Sequence, residues 1–312
     1  MKQILTSLNC INQMKKLFSI TLLLSLLFII SCSGSPQQDE LMHGTKGIDL
    51  NVQYIKPGQS FVHGEFLDLY LEVMNKGMYD DPKGFITITG HNTNAISFKE
   101  TKKEIPTLLG KKTYLPEGDS FIIKFDEIQP LNVPYGSSHT SNLLISSCYE
   151  YKTMAIVSVC VPSRDDFRSG TSICKQSVHS MSSQGAPVAV TYIEPSMGAE
   201  ELQYVVHVSN VGDGVVIKQD NLDNCPSQIS PNDVDEIEIE MQVSALGVVT
   251  CTNDNKIRLL DGKGATICKV KKNKESGSYM TQMEIILSYG YSSSITEKIK
   301  IVDPFYTGKD EY

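Results

Sequence analysis

The pattern of apolar and polar residues along this chain repeats at an offset of 135 positions. Residues 66–77 read FLDLYLEVMNKG, and residues 201–212 read ELQYVVHVSNVG. In each window four apolar residues alternate with more polar ones, and an Asn and a Gly follow at matching positions. Strict alternation is typical of a β-strand with one buried face, and Asn and Gly tolerate the backbone of a tight turn. Two generic amphipathic strands could match by coincidence, but the single offset favours two similar β-domains in tandem.

Alternation elsewhere predicts an all-β chain. We expect about seven strands between residues 48 and 161, and a comparable series between residues 188 and 302, spaced as in a β-sandwich. The KETKKE run at residues 99–104 is expected to be a solvated loop. No segment after the N-terminal apolar run has a convincing helical periodicity. One pair of strands is expected late in each domain: residues 142–147 with 153–161, and residues 283–289 with 295–302.

An alternating strand followed by N-x-G, as in both windows, resembles the second strand of CARDB-type immunoglobulin-like modules of bacterial and archaeal cell-surface proteins. The wider chain, with SSQGAPVAVTYIE at residues 182–194, is similar to uncharacterised archaeal surface lipoproteins. The resemblance implies an immunoglobulin-like fold and a location at the cell surface. It carries no catalytic residues.

The N-terminal segment has the features of an export signal. Residues 17–30 (LFSITLLLSLLFII) form an apolar run of 14 positions, with two lysines before it and a serine after it. Such a run is shorter than the ~20 residues that cross a bilayer comfortably, and its flanks are those of a secretory signal. Because residues 14–31 form a complete signal by themselves, we expect translation to start at Met14 rather than Met1.

Residues 29–32 (IISC) resemble the lipobox of bacterial-type lipoproteins. The resemblance implies cleavage after residue 31 and diacylation of Cys32. The alternatives are an ordinary Cys in a cleaved signal, an uncleaved anchor, or a chance match. Two acyl chains are what stable anchoring needs. We therefore expect an exported protein, attached to the membrane through its lipid and facing the extracellular or periplasmic side.

The charge of the chain argues against nucleic acid as a partner. The full sequence carries 28 basic and 36 acidic residues, for a net charge of −8. Removal of the signal takes away three lysines and no acid, which leaves 25 basic against 36 acidic residues, a net charge of −11. An acidic surface repels nucleic acid and anionic headgroups, so attachment to a membrane must come from the lipid.

Six cysteines remain in the mature chain besides Cys32. An even set in an exported chain predicts three disulfides; the alternative, a zinc site, favours spacings much closer than the 12 or more positions found here. A turn at residues 261–264 would place Leu260 opposite Ala265 and bring the Cys251 and Cys268 strands together. The predicted pairs are Cys160–Cys174 across the connector, Cys251–Cys268 within the second domain, and Cys148–Cys225 by elimination.

The sequence offers few candidates for chemistry. It contains no G-x-S-x-G, no G-x-x-x-x-G-K-[ST] and no metal spacing among its six histidines, so we expect no enzyme activity and no cofactor. The carboxylates of one long loop are a weak candidate calcium site, against the alternative of a solvated acidic loop. Those residues are Asp220, Asp223, Asp233 and Asp235. The paired tyrosines Tyr149 with Tyr151 and Tyr289 with Tyr291 are either contact residues for protein or sugar, or rim residues of a core.

Together these patterns predict two tandem immunoglobulin-like β-sandwiches after a cleaved signal. The expected divisions are a signal (residues 1–31), a tether (32–46), domain 1 (47–161), a disulfide-stapled connector (162–184), domain 2 (185–302) and a tail (303–312). The expected function is a lipid-anchored surface protein with a structural, adhesive or scaffolding role, through non-covalent contacts with a protein or surface glycan. The alternative is an envelope lipoprotein that binds a small ligand or assists a transporter or secretion machine.

Overall fold

The structure is a computed structural model that describes residues 43–53, 60–131, 133–197, 201–244, 246–271 and 277–308. The expected signal, the lipidation site Cys32 and most of the expected tether lie outside the described residues. Leu41–Tyr312 form one compact unit.

The all-β class predicted from the sequence is confirmed. Three short helical segments interrupt the strands in the described ranges: α1 (Arg164–Ser169), a 3₁₀ helix (Gln219–Asn224) and α2 (Thr252–Asn255). The described strands are, in chain order, β1 (Ile48–Gln53), β2 (Ser60–Val62), β3 (Leu67–Asn75), β4 (Gly84–Thr89), β5 (Ile96–Ser97), β6 (Lys102–Glu104), β7 (Ser120–Pro130), β8 (Ser138–Val161), β9 (His179–Ser180), β10 (Val188–Met197), β11 (Glu201–Asn210), β12 (Val215–Ile217), β13 (Glu236–Val243), β14 (Gly247–Val248), β15 (Thr250–Cys251), β16 (Lys256–Arg258), β17 (Lys263–Lys271) and β18 (Tyr279–Val302).

These strands form a large central sheet and two smaller sheets. The central sheet runs β14-β13-β18-β8-β4-β6, with β12 and β2 also paired to β18 and β16 paired to β13. One small sheet, β1-β3-β7-β5, belongs to the first half of the chain, and the other, β15-β17-β11-β10-β9, belongs to the second half. Buried side chains of all three sheets form one continuous core, so both small sheets pack against the central sheet.

The strands β8 and β18 hold the two halves together. They pair in antiparallel register over all 24 residues, from Ser138 opposite Val302 to Val161 opposite Tyr279, with Glu150 opposite Gly290 near the middle. The sequence predicts one pair of strands late in each domain, and both predictions were wrong. Each expected pair is a single unbroken strand, β8 in the first half and β18 in the second. The residues read as turns continue the ladder, and the tyrosines beside them are buried in the core.

The repeat seen in the sequence is visible in the strand pairing. The strands β3 and β11 hold the same place, each between the first strand of its half and the partner β7 or β17. An offset of 140 positions relates β8 to β18, because Tyr149 and Tyr151 of β8 correspond to Tyr289 and Tyr291 of β18, and all four are buried on the same face of the central sheet. The halves share the central sheet, so the connector at residues 162–184 does not separate two independent sheets.

Two local expectations were also wrong. The KETKKE run is not only a loop, because its end forms β6 and pairs with β4, with Glu104 opposite Phe85. The turn before β17 is tighter than expected: Leu260 lies opposite Lys263, not Ala265. The two residues between them, Asp261 and Gly262, both have positive φ, which is the backbone of a two-residue hairpin turn.

Candidate functional site

The Asn of each N-x-G sequence anchors the turn that follows its strand. The side-chain amide of Asn75 donates to the carbonyl of Tyr79 at 2.7 Å, and that of Asn210 donates to the carbonyl of Gly214 at 2.8 Å. In both turns the Asn side-chain oxygen accepts from the N–H of the Gly two residues later, at 3.2 Å. The motif therefore has a structural role in each half.

Four buried tyrosines, which we call the tyrosine cluster, lie where β8 and β18 cross the middle of the central sheet: Tyr149, Tyr151, Tyr289 and Tyr291. Neighbouring rings have centroids 5.9 to 6.3 Å apart. Each hydroxyl accepts a backbone N–H from the small-sheet side. The pairs are Ile48 to Tyr149 (3.0 Å), Tyr79 to Tyr151 (3.3 Å), Val188 to Tyr289 (3.3 Å) and Gly214 to Tyr291 (2.8 Å). These tyrosines are core residues and do not present a contact surface.

Burial raises the pKa of every hydroxyl in the tyrosine cluster, since a phenolate would lose its hydration in the core. The pKa of Tyr291 is raised to about 12, even though the N–H of Gly214 favours the charged form. All four hydroxyls are therefore neutral at physiological pH. They act as fixed hydrogen-bond partners for the backbone and not as acids or bases.

The six cysteines of the folded body form three disulfides, and the pairs are those predicted from the sequence. The loop disulfide, Cys148–Cys225, joins β8 to the segment after the 3₁₀ helix. The connector disulfide, Cys160–Cys174, closes the segment after β8. The hairpin disulfide, Cys251–Cys268, joins directly opposed residues of β15 and β17. Three closed disulfides are typical of an exported protein.

The acidic loop between β12 and β13 lies on the outer face of the central sheet, the face opposite the small sheets. Leu222 packs with Phe85, Ile217 and the loop disulfide in a small apolar cluster there. Farther along the loop, the guanidinium of Arg258 donates to the carbonyls of Pro231 and Asn232 at 2.9 and 3.0 Å. These contacts fasten the loop to the sheet.

The loop does not gather its carboxylates into a metal site. In the part of the chain that the structure describes, no group of three or more His, Cys, Asp or Glu side chains could hold a metal ion. The structure therefore does not bring together the four candidate calcium ligands Asp220, Asp223, Asp233 and Asp235. His207 of β11 is half-buried and stacks on Tyr192 with ring centroids 3.8 Å apart.

None of the helices in the described ranges is both long enough and apolar enough to cross a membrane. This finding covers only those ranges, and the apolar run at residues 17–30 lies outside them.

Comparisons with known proteins add little to the sequence and the geometry. No protein-family model matches the chain, and no curated protein matches its sequence. Among solved structures, the crystal structure of the CupB6 tip adhesin from Pseudomonas aeruginosa aligns with 82% of this chain and 98% of its own, at 8% identity and a TM-score of 0.17. A score that low carries no argument about fold or function.

Proposed function

We propose that this chain is an exported lipoprotein, held at the membrane by a diacylated Cys32, whose β-body has a structural, adhesive or scaffolding role through non-covalent contacts. The observation that carries the export step is the set of three disulfides in the folded body. The apolar run at residues 17–30 and the IISC sequence support the lipid anchor. The resemblance to CARDB-type surface modules supports the same location.

A binding role agrees with the positions of the residues that the sequence marks as candidates, because these residues stabilise the fold. The tyrosine cluster, the Asn residues of the N-x-G turns and the six cysteines all hold the fold together. The hydroxyls, amides and sulfur atoms of these residues therefore form bonds within the protein. Contact with a protein or a surface glycan would use the outer surface of the sheets.

Metabolic labelling with a fatty-acid analogue tests the anchor. We expect the wild-type protein to take up the label and Cys32→Ser to take up none. Cys10→Ser is the matched control, and we expect it to keep full labelling because residue 10 precedes the expected start at Met14. Labelling of Cys32→Ser at the wild-type level would refute the lipid anchor.

A further inference from the structure

Large apolar side chains are exposed on the outer face of the central sheet, where the last residues of β8 pair with the first residues of β18. Met154 and Ile156 of β8 are 54% and 56% exposed. Ile286 of β18 lies directly opposite Met154 and is half-buried. Their chain neighbours, such as Ala155 and Leu287, are buried in the core, so these three side chains share the opposite face. We call Met154, Ile156 and Ile286 the apolar patch.

The fold itself does not require the apolar patch. The offset of 140 positions, which matches the buried tyrosines of β8 to those of β18, places Ser294 and Thr296 of β18 at the positions of Met154 and Ile156 in β8. Both of these polar residues are exposed on the same pair of strands. The matched positions are therefore polar at one end of these two strands and apolar at the other. Exposed apolar surface rimmed by polar groups is typical of an interaction site.

A hollow with two carboxylates borders the apolar patch. It has a volume of about 180 Å³, and its walls include Glu240, Glu284, Asn255, Val248 and Ile286. Glu240 lies opposite Ile286 in the sheet, and Glu284 lies opposite Ile156. No described basic residue forms an ion pair with either carboxylate.

This combination matches the shape and charge of an arginine or lysine side chain. Such side chains lay their aliphatic stems along apolar surface and carry the charge at the tip. Here Ile286 and Val248 would receive the stem, and the carboxylates of Glu240 and Glu284 would receive the charged group. Lys152 lies on the same face of β8, toward the middle of the sheet, and is one basic residue beside the two carboxylates of the hollow.

We propose that this end of the outer face docks a partner protein that places an arginine or lysine side chain in the hollow and apolar side chains on Met154 and Ile156. A second copy meeting the same face would bring like carboxylates together, and an anionic bilayer would be repelled by them. The inference rests on the proposed role in non-covalent contacts. It does not rest on the lipid anchor.

Methionine-methyl NMR of the full chain carrying Cys32→Ser tests the proposal site by site, whether or not Cys32 is lipidated. The probe is a synthetic seven-residue peptide with arginines flanking two leucines. The control peptide has glutamate in place of each arginine. We expect the arginine peptide to shift the Met154 methyl signal, assigned with Met154→Ser, and the glutamate peptide to leave it unchanged. A shift confined to other methionines would overturn the proposal.

Two double variants separate the contributions of the apolar patch and the carboxylates. Met154→Ser with Ile156→Thr gives this face the residues of its counterpart, and affinity for the arginine peptide should fall about 10-fold. Affinity is measured for these variants by isothermal titration. Glu240→Gln with Glu284→Gln changes charge without changing shape and should have an effect of the same size. Unchanged thermal unfolding of this isosteric variant shows that a loss of affinity is not a loss of fold.

The matched charge control is Glu65→Gln with Glu297→Gln, which removes the same net charge away from the hollow. We expect it to change affinity less than about 2-fold, since screening confines electrostatic effects to within roughly 10 Å. An equal loss in this control would show non-specific attraction to an acidic protein and would overturn the proposal.

Two further measurements assign the face to another occupant if the proposal is wrong. Self-association in sedimentation velocity that Met154→Ser with Ile156→Thr abolishes would make the occupant a second copy. Flotation with anionic phosphatidylglycerol vesicles that the same variant abolishes would make it a membrane. We expect neither, and either result would overturn the proposal. If Cys32→Ser is labelled at the wild-type level but the arginine peptide shifts the Met154 signal specifically, the lipid anchor is refuted and this inference stands.

Discussion

The hydroxyl of Tyr149 provides a sharp test of how the tyrosine cluster stabilises the fold. It is fully buried and accepts the N–H of Ile48 at 3.0 Å, at the start of β1. Tyr149→Phe removes one oxygen and leaves that N–H without its partner in the core. A buried donor stripped of its acceptor costs about 1–3 kcal/mol, more than the net value of the bond itself. We therefore expect the free energy of unfolding to fall by about 2 kcal/mol.

Tyr204 of β11 is the matched control. It is also buried, but its hydroxyl has no hydrogen-bond partner among the described residues. Tyr204→Phe removes the same atom without orphaning another group, and it relieves an unsatisfied hydroxyl. We expect no loss of stability, or a gain of up to about 1 kcal/mol.

Urea denaturation of the oxidised protein, followed by far-ultraviolet circular dichroism, measures both changes. For a domain of this size a loss of about 2 kcal/mol corresponds to a fall in the melting temperature of about 4–6 °C. The slope of the free energy against urea should be equal in both variants, so that the midpoints report stability alone. If Tyr204→Phe costs as much as Tyr149→Phe, the hydroxyl-to-backbone bonds do not explain the cluster.

Three further predictions follow from the same contacts. In the fold, Tyr291 and Tyr204 each have a pKa raised to about 12, whereas tyrosines of the unfolded chain ionise near pH 10. Between these values only the unfolded state loses the protons, which favours unfolding. The stability that the two tyrosines contribute should therefore be complete below pH 10 and fall as the pH rises toward 12. The tyrosinate absorbance at 295 nm that comes from the buried tyrosines should then appear only together with unfolding, and ionisation of Tyr204 and Tyr291 in the folded state would contradict this. Replacing both cysteines of the loop disulfide by serine should lower the free energy of unfolding by about 4 kcal/mol, and the same change at the connector disulfide by about 3 kcal/mol. The difference is expected because 77 positions separate the cysteines of the loop disulfide and 14 separate those of the connector disulfide. Equal losses in the denaturation midpoint would contradict the loop-entropy argument. Gly77→Ala would overlap the hydroxyl of Tyr151 and should cost about 3 kcal/mol by thermal unfolding. Gly277→Ala, whose added carbon would meet Asp166 at an ordinary contact distance of 3.8 Å, should change stability by less than about 0.5 kcal/mol; equal effects would mean that the backbone at Gly77 moves aside.

Local patterns were enough to predict most strands. Alternation in the windows at residues 66–77 and 201–212 corresponds to β3 and β11, and the Asn and Gly that close each run form the same turn in the structure. The disulfide pairing could also be predicted, because the hairpin disulfide follows from the strand order and the connector disulfide from the short segment that it encloses, which leaves one pairing for Cys148 and Cys225.

The long strands were not accessible from local sequence. The sequence predicts a turn at Gly290, because a Gly between two strand-like segments usually marks one. In the structure it lies within β18, where a side chain would meet Leu222 of the 3₁₀ helix at 2.9 Å and the carbonyl of Ile217 at 3.0 Å. The Gly is there to admit a segment about 70 positions away, and no local pattern records that requirement. Cys32 lies outside the described residues, so its lipidation stays a prediction.

The two faces of the central sheet differ in how closely the halves match. On the inner face the halves are equivalent: each supplies two buried tyrosines, and each N-x-G turn sends one backbone N–H to a tyrosine hydroxyl. On the outer face they diverge. The acidic loop between β12 and β13 is fixed to Cys148 of β8 by the loop disulfide, while the apolar patch lies farther along β8 and on the facing part of β18. The inner equivalence is what both halves need to fold. Of the outer differences, the loop stabilises the fold through its disulfide, whereas the apolar patch has polar residues at the matching positions of β18, and this contrast is the basis of the docking face that we propose.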